Sequence, residues 1–99
     1  MRVTLQYFDE CPNWRTTEAH LRELAAERAH LDLVLEHVAS SDDAERLGFH
    51  GSPSVLVDGH DPFPHDGLAV GLSCRVYTTP DGLAGTPTLN QLRAVLDRA

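Results

Sequence analysis

The chain has 99 residues, 41% hydrophobic and 23% charged, which suits one small domain with a buried core and argues against intrinsic disorder. Eight basic against fifteen acidic side chains give a formal net charge of −7, which disfavours nucleic acid or an anionic membrane as a partner. No apolar run approaches the roughly 18 residues of a membrane span. The N-terminus opens on a strand pattern rather than a signal peptide, and two cysteines do not make a secreted disulfide scaffold, so a cytoplasmic location is expected.

Residues 2–8 read as the first strand, with Val3, Leu5 and Tyr7 alternating with Thr4, Gln6 and Phe8. The period changes at Cys11 and Pro12, and proline suits a first helical position because its missing N–H would be unpaired there. Trp14, Thr17, Leu21, Leu24, Ala25 and Arg28 then recur at helical spacing to about Ala29, opposite a charged face. Residues 31–38 form the next strand, apolar on both faces. Asp42 and Glu45 make a candidate capping box, with Ser40 and Ser41 as rival caps, before a short helix over 43–47 that stops at Gly48.

Residues 54–58 read as a third strand closed by Gly59. Residues 60–73 carry Pro62, Pro64, Gly67, Gly71, His60 and His65, a loop long enough for function. Residues 74–78 read as a fourth strand, antiparallel to the third, and 79–82 as a turn. Thr88 with Gln91, or Thr86 before Pro87, caps a last helix with Leu89, Leu92, Val95, Leu96 and Ala99 on its buried side. A helix between the first two strands makes a parallel crossover the expected connection. The expectation is α/β, a mixed sheet covered by helices.

Two landmarks stand out in this order of elements: Cys11-Pro12 between the first strand and helix, and Gly51-Ser52-Pro53-Ser54 before an apolar strand ending in Asp58-Gly59. Together they make the chain resemble the thioredoxin-like superfamily, over nearly its whole length in topology and over about ten residues in specific motifs. The resemblance implies a single domain over 1–99 with a thioredoxin-like three-layer fold, a four-stranded mixed sheet flanked by three helices. It also implies a cis Ser52–Pro53 bond beside the active cysteine and a nucleophilic Cys11. A helix N-terminus would favour the Cys11 thiolate, which attacks a disulfide to form a mixed disulfide. Pro12 matches glutaredoxin-like variants, but Trp14 stands where a resolving cysteine would be, so no two-thiol cycle at positions 11 and 14 is possible. The second thiol would come from glutathione, a partner or Cys74. Asp9 and Glu10 oppose the helix dipole by disfavouring negative charge on the sulfur.

Each candidate has a plainer role to weigh. Cys11 is either a functional thiol or a small buried hydrophobe. Five strand residues span roughly 17 Å and a disulfide needs Cα atoms within roughly 7 Å, so the expected topology keeps Cys74 away from Cys11 as a core residue. The alternative is that the 60–73 loop carries Cys74 back as a second thiol. Trp14 either packs in the core or, with Pro12, Ser52 and Pro53, walls a substrate groove. His50 precedes the second landmark and is a candidate to stabilise the Cys11 thiolate. His20 and His30 are expected to be exposed and His37 to be a core polar group. His60 and His65, beside Asp61 and Asp66, read as solvated rather than metal-binding.

Three functions follow. The first is a monothiol thiol–disulfide oxidoreductase acting through Cys11, with no bound cofactor and glutathione or another protein or small-molecule thiol as co-substrate. The second is a non-catalytic binding module using the same groove. The third is thiol capture of a soft metal or organomercurial. Oligomeric state is left open, because an edge strand can pair with another chain.

Overall fold

In a computed structural model, which describes residues 1–65 and 67–99, the chain forms eight elements. They are β1 (Arg2–Tyr7), α1 (Trp14–Ala26), β2 (Asp32–His37), α2 (Ser41–Leu47), β3 (Ser54–Val57), β4 (Tyr77–Thr79), β5 (Gly82–Ala84) and α3 (Leu89–Arg98). Asp66, which the sequence places beside His65, lies outside the described residues.

The expected four-stranded sheet is not formed. β1 lies between β2 and β3 in a three-stranded sheet, and β4 and β5 form a separate antiparallel pair. The crossover is parallel as expected, Arg2 facing Asp32 and Tyr7 facing His37. β3 runs antiparallel to β1, Val3 facing Val57 and Gln6 facing Ser54. The chain turns sharply just after β3. Asp58 and Gly59 both take positive φ, 50° and 88°, and this tight turn folds His60 back onto Val57. Val57 N donates to His60 O at 2.7 Å and His60 N to Val57 O at 3.1 Å, so the outer side of the last residue of β3 is taken up locally.

The alternation of β1 divides its surroundings. Val3 and Leu5 are fully buried and pack with Leu21 and Leu24 of α1, Val55 and Val57 of β3, and Leu92, Val95 and Leu96 of α3. The other face, with Thr4, Val34, Glu36 and Leu56, is half-buried. A second cluster gathers beyond the C-terminal ends of β1 and β2: Phe8, Cys11, Val38, Ala44 and Phe49, with Leu47 against it. Both parallel strands point their ends at this cluster and the antiparallel β3 starts there, so one end of the sheet collects Cys11 and the residues before Pro53.

The caps explain the helix boundaries. Ser40, rather than Ser41 or Asp42, caps α2 by accepting from Asp43 N at 3.1 Å, and Gly48 ends it in the left-handed region. Thr88 caps α3 in a full box with Gln91, an arrangement that contributes about 1 kcal/mol. α1 begins at Trp14 rather than Pro12, because residues 8–15 first make tighter turns: Cys11 N donates to Phe8 O and Arg15 N to Pro12 O. It ends at Ala26, three residues short of the expected Ala29. Its buried residues are Thr17, Leu21 and Leu24, on the expected stripe.

Phe49 is fully buried and meets Phe8 edge-on at 6.4 Å. Phe49→Ala should cost about 3–5 kcal/mol of unfolding free energy in urea titrations. Leu83→Ser, at a hairpin position 77% exposed, should stay within about 0.5 kcal/mol.

Candidate functional site

The site is built on a short parallel pairing that the sequence did not suggest. Residues 71–75 return alongside residues 49–53, and Ser52 bridges Cys74 in parallel register. Gly71 N donates to Phe49 O at 3.1 Å, Ser52 N to Ser73 O at 2.8 Å, and Arg75 N to Ser52 O at 2.9 Å. Gly51 lies inside this contact with φ +112°, and a Cβ there would stand 3.1 Å from both Ser73 O and Arg75 Cβ. Only glycine accepts that backbone at that separation.

The pairing delivers Cys74 to Cys11. The two are joined by a disulfide, with Cα atoms 5.7 Å apart. The expectation that Cys74 stays away from Cys11 is therefore corrected. Its premise was a strand starting at the far end of the sheet, whereas the 60–73 loop carries the chain back and lays it beside residues 49–53. The pair is asymmetric: Cys11 is fully buried in the second cluster, and Cys74 is exposed.

Polar groups converge on Cys11. Its Sγ lies 3.6 Å from Ser52 O, and Asn13 Nδ2 points at it from 3.8 Å. Ser52, fully buried, accepts from Phe8 N through Oγ at 3.3 Å, which ties the second landmark to the end of β1. The Ser52–Pro53 peptide bond is cis. Pro53 O accepts from Tyr77 OH at 2.5 Å, and Ser54 Oγ donates to Gly51 O at 2.6 Å. Burial pushes the Tyr77 phenol well above its usual range, against a smaller opposing effect of Arg75, so it stays a donor at neutral pH.

Arg75 anchors the returning chain. Its side chain is fully buried, paired with Asp61 at 2.6 Å, within 3.3 Å of Ser54 Oγ, and stacked over Tyr77 at 4.7 Å. The carboxylate and these further partners oppose the cost of burying the guanidinium, although Arg75 Nε is buried without a hydrogen-bond partner among the described residues. Sequence reading missed Asn13, Asp61, Arg75 and Tyr77. Alternation alone offered a clue to two of them, since Arg75 and Tyr77 share one side of an extended segment.

Pro12 is exposed next to the bridge. Trp14 stacks on Tyr7 at 4.2 Å with Arg15 over its ring at 5.1 Å, and Tyr7 in turn stacks on His37. His37 is not the core group expected of it: it is exposed and 3.2 Å from Asp9. His30 is exposed as expected, whereas His20 is half-buried. His50 Nδ1 lies 3.2 Å from Leu68 O and its ring 5.5 Å from that of His65. His50, His60 and His65 line an open pocket of about 340 Å³ on the half-buried sheet face. Among the described residues no three His, Cys, Asp or Glu side chains are arranged to hold a metal ion. Among the same residues no helix is long and apolar enough to cross a membrane.

Protein-family models, curated proteins and solved structures were compared with the chain, and none matches it.

Gly51→Ala should lower stability by about 1–3 kcal/mol in chemical denaturation, because it strains the backbone and pushes on the Cys74 segment. Tyr77 also sets a pH dependence. Its folded pKa is raised above the unfolded value of 10.0, so stability is intact below pH 10 and falls as pH rises beyond it. Urea titrations between pH 9 and 11 should show a shallower fall in Tyr77→Phe than in the parent protein.

Proposed function

We propose that this protein is a thiol–disulfide exchange protein whose redox pair is Cys11 and Cys74. The observation that carries the reading is the disulfide between a buried cysteine at the β1–α1 junction and an exposed one on the returning segment. The reduced pair gives two electrons and two protons to a substrate disulfide and closes its own S–S bond. Because Cys74 supplies the second thiol from within the chain, the reading is dithiol rather than monothiol. Glutathione or a partner dithiol then serves as external reductant.

Two further features support it. Kinship with the thioredoxin-like superfamily, proposed on Cys11-Pro12 and Gly51-Ser52-Pro53, accounts for a cysteine placed beside a cis proline. A cytoplasmic location belongs to the same proposal, since disulfides in mesophile cytosol are usually transient and catalytic or sensing. The rival is a structural staple. Closing a loop with a sequence separation of 63 would stabilise the fold by about 4 kcal/mol in the chain-entropy view. The two differ in reducibility, not in position.

Equilibration of the folded protein in glutathione redox buffers, followed by thiol alkylation and mass spectrometry, separates them. Exchange predicts reversible reduction without loss of the far-ultraviolet circular dichroism spectrum, with a midpoint above about −300 mV. A bond that opens only in denaturant, or with a midpoint well below that value, rejects the proposal.

A further inference from the structure

The geometry points to a division of labour within the pair: Cys74 is the sulfur that exchanges with external thiols and disulfides, and Cys11 is the internal resolving thiol. This rests on the exchange reading above and reverses the role that the Cys11-Pro12 motif implies for its cysteine.

Access decides the first half. A thiolate attacks a disulfide sulfur in line with the bond that breaks, so the attacked sulfur must be reachable from outside. Cys11 has no exposed surface and is enclosed with Phe8, Val38, Ala44 and Phe49. Cys74 is exposed, and the reason is alternation. Along residues 74–77, Arg75 and Tyr77 are buried while Cys74 and Val76 face solvent. The inward side is held by the Arg75–Asp61 pair and by the Tyr77 bond to Pro53. The outward side is thereby kept towards the medium, with Leu72 and Val76, 37% and 58% exposed, on either side of Cys74.

The leaving group decides the second half. When an external thiolate RS⁻ attacks Cys74 Sγ, the Cys74–RS bond forms and the Cys74–Cys11 bond breaks. The electron pair of the broken bond departs on Cys11 Sγ. The Asn13 side-chain amide points at that atom as a hydrogen-bond donor, and on protonation the thiol lies within reach of Ser52 O. A second RS⁻ attacks the R sulfur of the mixed disulfide, releasing RSSR and a Cys74 thiolate. In the opposite direction the Cys74 thiolate attacks RSSR′ and expels R′S⁻. Cys11 then attacks Cys74 Sγ, restores the internal bond and expels RS⁻. Each cycle moves two electrons.

The test uses the oxidised wild-type protein and reduced glutathione. Samples are quenched with acid at early times, free thiols are blocked with N-ethylmaleimide in denaturant, and the peptides are mapped by mass spectrometry. Glutathione should lie on the Cys74 peptide, with blocked Cys11, in about tenfold excess over the reverse, following access to the sulfur. In parallel, folded Cys11→Ser should react with 5,5′-dithiobis(2-nitrobenzoate) about tenfold faster than folded Cys74→Ser, for the same reason. Glutathione mainly on Cys11 overturns this assignment while leaving exchange itself intact. Glutathione on neither cysteine until denaturant is added overturns the exchange reading, and the assignment with it.

Discussion

The short parallel ladder between residues 49–53 and 71–75 is the contact on which the site depends. Through it Ser52 gives its N–H to Ser73 and receives the N–H of Arg75, and the cysteine between those two residues is set beside Cys11. Ser52 also reaches the other way, its hydroxyl accepting from Phe8 N at the end of β1. One small buried residue thus couples the first strand, the cis proline segment and the returning loop. Gly51 is what allows the approach, because a side chain there would meet the facing backbone.

Burial then makes the two cysteines unlike each other. The sheet delivers Cys11 into an apolar cluster between the end of β1 and α2, where Asn13 and Ser52 offer its sulfur polar company. The returning segment has a charged anchor, Arg75, which is withdrawn from water and matched with Asp61. Fixing Arg75 inward fixes its neighbour outward, since successive side chains of an extended chain face opposite ways. A buried ion pair is a weak argument for stability. Here its consequence is orientation: it sets which face of the segment carries the accessible sulfur.

Much of the local structure was legible from residue patterns. Val3 and Leu5 announce the buried face of β1, the 17–21–24 spacing announces that of α1, and Thr88 with Gln91 announces the start of α3. Each of these depends on neighbours within a few positions. The fourth strand was misread for the same reason, since residues 74–78 have strand character but nothing local says what they pair with. Val57 at the end of β3 bonds back to His60, and Tyr77–Thr79 pair with Gly82–Ala84 instead. The stacking of Trp14 on Tyr7 and the approach of His50 to Leu68 O were not legible, because adjacency in sequence to a landmark does not give the direction of a side chain.

By itself the sequence determined one thiol at a strand–helix junction and the approximate boundaries of most elements, because caps, periodicity and turn residues act over short distances; the proline segment beside that thiol was implied by the family resemblance alone. Only the tertiary structure decided that Cys74 closes onto Cys11, that the sheet stops at three strands, and that one sulfur is buried while the other faces solvent. Those outcomes come from a contact between residues some twenty positions apart and from a charge pair buried across a loop. Neither leaves a periodic trace in the chain.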